Sequence, residues 1–242
     1  MKTLGYLALI GAMFAGLPAV ASTICPSSAS YIYSDGTATN VAGPLDGTCG
    51  ADSAVQLTIP NDSVDGASIY FSNAQTGLTL GNVASIGASV AFSSDVASDE
   101  PYYVFDFHDT SGVFGETAGD KILFLENQSP NVSGSSMSLS PTATLFDVYD
   151  DTTGLYLNGG QSNVKTLDQL LAADPGLSSD PTYIGIAIGD DGGCAGPCSE
   201  SLTVNSFTVN ETAATPEPSS FLLLGTGLAS LAGMARRRLG WA

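Results

Sequence analysis

The sequence predicts an all-β domain, a two-sheet antiparallel β-sandwich of jelly-roll type with one short helix. Short apolar or alternating runs recur between turn-forming residues along most of the chain, as is typical of sandwiches. Only one segment has the periodicity of a helix. The stretch of about 190 residues between the two chain ends is large for a seven-stranded immunoglobulin-like domain, which favours the jelly roll.

Nine runs are predicted to form strands, because their apolar residues alternate or cluster between glycine, proline, asparagine, aspartate and serine turns. They are residues 54–59, 67–71, 83–92, 102–107, 121–126, 142–149, 155–157, 183–188 and 202–209. We expect nine to eleven strands in total. Residues 150–154, with the sequence Asp-Asp-Thr-Thr-Gly, are predicted to form a hairpin turn. The alternation slips near Asn205, which indicates a β-bulge.

The predicted helix begins after Thr166. Thr166 and Gln169 have the spacing of a capping box, in which each side chain bonds to the backbone N–H of the other residue. Leu167, Leu170 and Leu171 then form an apolar stripe, and an Asp-Pro-Gly turn ends the helix.

The charge of the chain is strongly acidic and excludes one class of partner. Glu211 and Glu217 lie at the end of the acidic region, and leaving them out gives 22 acidic residues from Ser22 to Asn210. Only Lys121 and Lys165 oppose them, so the formal charge of this region is −20. Such a surface repels phosphate backbones, and nucleic-acid binding is therefore not expected.

The N-terminus has the organisation of a helical signal peptide over residues 1–21. Lys2 is followed by an apolar run that ends in small residues at Ala19 and Ala21. The predicted cleavage follows Ala21, because the pockets of signal peptidase accept only small side chains there. Ser22 then begins the mature chain, and the folded domain is predicted to span residues 22–211.

The C-terminus has three parts in a fixed order. A linker over residues 212–218 contains Pro216, Glu217 and Pro218, residues 219–235 are apolar, and an arginine cluster follows, consisting of Arg236, Arg237 and Arg238. The 17 apolar residues would form a helix of about 25 Å, against a hydrocarbon core of ~30 Å. This length suits transient insertion in the inner membrane, with the arginines on the cytoplasmic side.

This tail, residues 215–242, closely resembles the PEP-CTERM sorting signal. The resemblance implies that an exosortase, a membrane-embedded transpeptidase-like enzyme, cuts near Pro216-Glu217-Pro218 and discards the helical tail of residues 219–242. It also implies an exported protein that passes from an inner-membrane-tethered precursor to the periplasm, outer surface or extracellular matrix. Many proteins with this signal are associated with exopolysaccharide and biofilm. The resemblance does not extend to residues 22–211.

Four cysteines remain in the mature chain, and an even number in an exported protein indicates two disulfides. Four cysteines allow three connectivities. We favour Cys25–Cys49 and Cys194–Cys198, because each pair is local and lies among turn-forming residues.

Acidic loops are the candidate metal sites. Asp147, Asp150 and Asp151 surround the predicted hairpin turn, and Asp190 and Asp191 open the loop before Cys194. Calcium prefers several carboxylate and carbonyl oxygens, which either loop offers. Neither loop follows a known calcium-loop pattern, and turn-forming aspartates explain the same residues.

Three functions are consistent with these observations. The first is a non-enzymatic surface or matrix protein associated with polysaccharide. The second is a calcium-dependent, lectin-like carbohydrate-binding module, for which eight tyrosines of the mature domain offer stacking surfaces. The third is a secreted hydrolase using His108 and Asp106, which alternation places on one face of a strand. No serine nucleophile motif accompanies that pair, and no cofactor is required.

The tail assignment makes a prediction about the mass of the protein. In cells that contain the exosortase, the chain is expected to end near Pro216, whereas cells without it retain residues 219–242. Intact mass spectrometry of the exported protein from both strains measures this difference. An identical C-terminus in the two strains would contradict the assignment.

Overall fold

The computed structural model of the protein describes most of one domain. The described residues are 21–34, 37–41, 49, 52–60, 66–94, 100–108, 112–114, 117, 119–126, 132–133, 135–157, 164–179, 182–189 and 199–211. All of them lie within the compact unit Ala19–Thr212. This unit is built from two antiparallel sheets, which confirms the predicted β-sandwich. The predicted signal peptide, apart from Ala21, and the sorting tail lie outside the described residues.

The first sheet has seven strands among the described residues. They are β1 (Ala21–Ile24), β3 (Thr37–Val41), β4 (Ala54–Ile59), β6 (Val83–Ser94), β9 (Val132–Ser133), β10 (Ser136–Leu139) and β15 (Glu200–Glu211). Their order is β3-β4-β15-β6-β10-β9, and β1 pairs with β15 beyond the end of β4. The predicted mature N-terminus therefore lies within a strand, since Ser22 pairs with Val209.

The second sheet has eight strands in the described part of the chain. They are β2 (Tyr31–Ser34), β5 (Gly66–Ser72), β7 (Tyr102–His108), β8 (Lys121–Glu126), β11 (Leu145–Asp150), β12 (Leu155–Tyr156), β13 (Lys165–Thr166) and β14 (Thr182–Gly189). Their order is β12-β11-β8-β7-β14-β5-β2, and β13 pairs with β11. The chain crosses between the sheets repeatedly, as in a jelly roll.

The core lies between the two sheets. Alternate residues of each strand enter it, because successive side chains of a strand point to opposite faces. Phe71 of the second sheet stacks on Phe207 of the first, with ring centroids 4.6 Å apart. Within the second sheet, Phe107 and Phe124 meet edge to face at 4.6 Å. Burial of these rings stabilises the sandwich together with the aliphatic side chains of the same core.

All nine predicted strands are present, with small changes at their ends. The largest change is at β11, which begins at Leu145 rather than Thr142. Thr144 instead donates its backbone N–H to the Ser140 carbonyl (2.9 Å), so residues 140–144 form a turn. The predicted bulge is confirmed by a shift in the pairing of β15 with β6 between Val204 and Ser206. Six further strands of two to five residues were not predicted.

The prediction of a single helix is wrong, because the described residues contain two. The predicted helix, α2 (Leu167–Ala173), has its capping box: Thr166 donates its N–H to Gln169 Oε1 (3.0 Å), and Gln169 donates its N–H to Thr166 Oγ1 (3.3 Å). The unpredicted helix is α1 (Asn73–Thr76).

Helix α1 is only one turn long, and this explains why it was missed. Ser72 and Gln75 have the same capping spacing as in α2, with the Ser72 N–H donated to Gln75 Oε1 (3.0 Å). Gly77 ends the helix at φ +71°, a conformation that favours glycine. No apolar stripe fits into four residues, so only the capping signals could have identified it.

The N-terminal segment is held by a disulfide between Cys25 and Cys49, as predicted. Their Cα atoms are 5.6 Å apart. The bond joins the segment after β1 to the segment that precedes β4. The other predicted pair, Cys194–Cys198, lies outside the described residues. Across the described ranges, no helix has the length and apolar character needed to cross a membrane.

Glu126 carries an acidic side chain on the inner face of the second sheet. Glu126 is 4% exposed and accepts the backbone N–H of Tyr103 through Oε2 (3.0 Å). Neither Oε1 of Glu126 nor the hydroxyl of Tyr103 has a hydrogen-bond partner among the described residues. Burial raises the pKa of Glu126 to about 8, although the Tyr103 N–H opposes the shift. The carboxyl is therefore largely protonated at neutral pH.

This buried carboxyl predicts that stability falls with rising pH. Between the ordinary value of 4.5 and about 8, the folded chain holds a proton that the unfolded chain has lost. Each pH unit in this window then costs up to about 1.4 kcal/mol of unfolding free energy. Glu126→Gln removes this contribution, so urea unfolding at pH 5 and pH 8.5 should differ less for the variant than for the parent. An equal difference in both proteins would contradict the assignment.

Candidate functional site

The second sheet has a face that points away from the core and carries its own apolar cluster. In β7, Tyr103, Phe105 and Phe107 enter the core, so Tyr102, Val104 and Asp106 point outward. We call this surface the outer face. Its cluster, separate from the core, consists of Tyr70, Val104 and Ala187, packed against the half-buried side chains of Tyr102, Leu123 and Leu125.

Strand register aligns the outer-face residues in a row across five strands. Tyr183 of β14 pairs with Asp106 of β7, Asp106 with Leu123 of β8, Leu123 with Tyr149 of β11, and Tyr149 with Tyr156 of β12. We call these five residues the tyrosine row. At ~4.8 Å per strand the row is about 19 Å long, and both terminal tyrosines are 40% exposed. The row therefore presents ring surface at its ends, with the nearly buried carboxylate of Asp106 next to Tyr183.

A second row runs beside the first and depends on a glycine. Gly185 lies between Tyr70 of β5 and Val104 of β7. A Cβ atom at this position would come within 2.7 Å of the Ile69 carbonyl oxygen and 2.8 Å of Tyr70 Cδ1. Only glycine therefore lets the Tyr70 ring lie close to β14. Nearby, the Tyr102 hydroxyl donates to the Gly189 carbonyl (3.3 Å), which fixes another ring on the same surface.

Lys121 binds two carboxylates at the edge of the tyrosine row. Its Nζ is 3.3 Å from Asp106 Oδ2 and 2.9 Å from Asp151 Oδ2. The Asp106 side chain is 7% exposed, whereas Lys121 and Asp151 are 36% and 38% exposed. Partial burial alone would lower the pKa of Lys121, but the hydrogen bonds and charges of Asp151 and Asp106 raise that pKa above its ordinary value. Lys121 thus remains charged and compensated.

The hairpin between β11 and β12 holds one end of the row in place. Asp150 Oδ1 accepts the backbone N–H groups of Thr152 (2.9 Å) and Thr153 (3.1 Å), and its Oδ2 accepts the Thr153 hydroxyl (2.6 Å). The Thr153 hydrogen bond lowers the pKa of Asp150. The turn brings Tyr149 and Tyr156 edge to face, with ring centroids 5.1 Å apart. This confirms the predicted hairpin and shows that Asp150 stabilises its turn.

The structure does not gather the predicted calcium ligands of this hairpin. Asp150 caps the turn, Asp151 binds Lys121, and Asp147 points to the outer face in register with Leu125. Across the described ranges, no three histidine, cysteine or acidic side chains lie close enough to hold a metal ion. The other predicted ligands, Asp190 and Asp191, lie outside those ranges.

Asp106, which the hydrolase hypothesis pairs with His108, forms an ion pair with Lys121. Asp106 binds Lys121, which lies opposite His108 in the register of β7 and β8. His108 is exposed at the end of its strand. The carboxylate that a hydrolase would use to orient the imidazole thus has a cation as a partner.

The outer face was not identified from the sequence, although its tyrosines were. Tyr102 and Tyr149 are half-buried strand residues, whereas Tyr70 is buried. Their joint placement in one row depends on pairing between strands that are far apart in the chain. The available signal was local: Tyr102 and Tyr149 each alternate with core aromatics on their own strand.

Comparison with known proteins identifies the tail and gives distant likenesses for the domain. The model of the PEP-CTERM protein-sorting motif matches residues 214–238, so the tail assigned above is confirmed. A motif of this kind indicates an exported protein that an exosortase processes. No curated protein sequence matches the chain significantly.

Similar solved structures include three carbohydrate-binding proteins. A xylan-binding module of Roseburia intestinalis has 9% identity and a TM-score of 0.38, over 81% of this chain and 99% of that one. Lectin II of Ulex europaeus has 8% identity and a TM-score of 0.35, over 80% of this chain and 98% of that one. A family 11 carbohydrate-binding module of Clostridium thermocellum has 9% identity and a TM-score of 0.36, over 81% of this chain and 91% of that one. Likenesses at this level carry no argument about what this chain binds.

The ion pairs of Lys121 predict a measurable cost when the cation is removed. Lys121→Met leaves the buried carboxylate of Asp106 uncompensated, so the unfolding free energy should fall by roughly 1–2 kcal/mol, a value reduced for the partial exposure of the lysine. The double variant Lys121→Met/Asp106→Asn also removes the charge of Asp106 and should recover part of the lost unfolding free energy. Urea unfolding of both variants measures the coupling. Equal stabilities of Lys121→Met and the parent would contradict the pairing.

Proposed function

We propose that this chain, which carries the PEP-CTERM sorting motif, is a non-enzymatic exported protein that binds extracellular polysaccharide through its outer face. The tail directs the domain out of the cell, and the outer face retains it in the polysaccharide matrix. The observation that carries the second part is the tyrosine row, a line across five paired strands with an exposed ring at each end.

The chemistry of the row suits a sugar chain. Pyranose rings have faces lined by C–H groups that stack on aromatic rings, and hydroxyls that bond to carboxylates and ammonium groups. Tyr183 and Tyr156 offer such rings at the two ends of the row. Lys121 and Asp151, each more than a third exposed, offer donors and acceptors beside the row. A length of about 19 Å favours an oligosaccharide of several units over a single sugar.

The backbone beneath the row favours binding with little reorganisation. Each residue of the row lies on a paired strand, and Tyr156 is further held by its contact with Tyr149. A surface fixed in this way loses little conformational entropy when a ligand binds. An extended row also fits the binding of internal segments of a long polymer.

The proposal does not depend on calcium. In the described part of the hairpin, Asp150 is engaged by backbone N–H groups and Asp151 by Lys121. Calcium therefore enters only as a variable of the binding assay, where equal affinities with and without a chelator are expected.

Substitution of the terminal tyrosines tests the proposed function. Tyr183→Ala and Tyr156→Ala each remove one exposed ring, and each should weaken polysaccharide binding roughly three- to tenfold. The double variant should weaken it further. Affinity electrophoresis against a panel of soluble polysaccharides, with titration calorimetry for those that retard the protein, measures the effect.

Leu155→Ala is the matched control for this test. Leu155 neighbours Tyr156 on β12, is 61% exposed and points to the opposite side of the strand. It should leave binding unchanged. Absence of binding to every polysaccharide, with and without calcium, would overturn the proposal, as would full affinity in the tyrosine double variant.

A further inference from the structure

The cations of the domain determine which kind of polysaccharide the outer face can accept. Residues 22–211 contain no arginine and only two lysines, Lys121 and Lys165. Lys165 pairs in register with Phe146, whose ring is in the core, so Lys165 does not lie on the outer face. Lys121 is thus the cation available to a ligand on this surface.

The charge of Lys121 is compensated by carboxylates of the protein and is not available to an acidic ligand. It binds Asp106 and Asp151 at once, through contacts of 3.3 and 2.9 Å. Asp147, which is 7% exposed, adds a third carboxylate on the same side of the sheet, in register with Leu125. Among the described residues, the outer face therefore carries these three acids against one lysine, on a domain region whose formal charge is −20. A carboxylate or sulfate on a sugar would meet net repulsion along the whole row.

We infer that the outer face accepts glycans without acidic groups and rejects acidic ones, with Asp106 and Asp151 setting this preference by compensating the charge of Lys121. The inference rests on the proposed polysaccharide binding and adds the class of ligand to it. In this account both aspartates are specificity-determining residues: they withdraw from the ligand a cation that would otherwise attract uronate carboxylates.

A matched pair of polymers tests this inference. A neutral polysaccharide that binds the protein is oxidised partially at its primary hydroxyls, which converts some hydroxymethyl groups to carboxylates on the same backbone. The oxidised polymer should bind at least about tenfold more weakly at low salt. The difference in affinity between the two polymers should narrow to within about threefold at 1 M salt, where the Debye length is ~3 Å. If the weaker binding came only from the loss of a hydroxyl hydrogen bond, added salt would not restore the affinity.

Two variants with the same change of charge locate the effect. Asp151→Asn releases one carboxylate from Lys121, whereas Asp168→Asn removes an exposed acid on α2, a helix packed on the core through Leu167 and Leu170. The ratio of the affinity for the oxidised polymer to the affinity for the unoxidised polymer should rise at least about threefold more in Asp151→Asn than in Asp168→Asn. Adding Lys121→Met to Asp151→Asn should abolish that rise.

The outcomes separate the inference from the function on which it rests. If no neutral polymer binds, both are overturned. If neutral and oxidised polymers bind equally at low salt, or if the two aspartate variants change the ratio equally, the charge preference is overturned and the binding proposal stands. A salt-sensitive preference for the neutral polymer, relaxed by Asp151→Asn alone, supports the inference.

Discussion

Burial of one face of each sheet against the other is the constraint on which this domain depends. The period of two along a strand sends every second side chain into the core and leaves its neighbours on the opposite surface. In β7 the inward set is Tyr103, Phe105 and Phe107. Because those rings must stay inside, Asp106 is fixed on the outer face without any further choice. The same constraint, applied to five strands, produces the tyrosine row.

Electrostatics then decides how that surface is used. A domain with few cations cannot neutralise its acids individually, so its exposed acids rely on water. Asp106 cannot do so, since its side chain is nearly buried and needs a partner. Lys121 supplies it and also binds Asp151, which fastens the β11–β12 hairpin to the start of β8. The same contacts stabilise the sheet edge, shape the end of the row and remove a cation from the reach of a ligand.

Local sequence signals predicted the local features of the fold. Alternation located nine strands, the capping residues of Thr166 and Gln169 located α2, and the slip near Asn205 located the bulge. Short strands such as β1 and β13 were missed because two to five residues carry too little alternation. The site was missed for a different reason: the alignment of Tyr183 with Tyr156 is a product of register between distant strands, which no local pattern encodes.

The central claim is that polysaccharide lies along the tyrosine row, and its position on the protein can be measured directly. Titration of ¹⁵N-labelled protein with an oligosaccharide of a bound polymer should shift the backbone amide signals of β14, β7, β8, β11 and β12. Within those strands the largest shifts are expected at Tyr183, Leu123 and Tyr156, and the amides of β3 and β4 in the first sheet should stay in place. Shifts concentrated in the first sheet, with the row unaffected, would contradict the account.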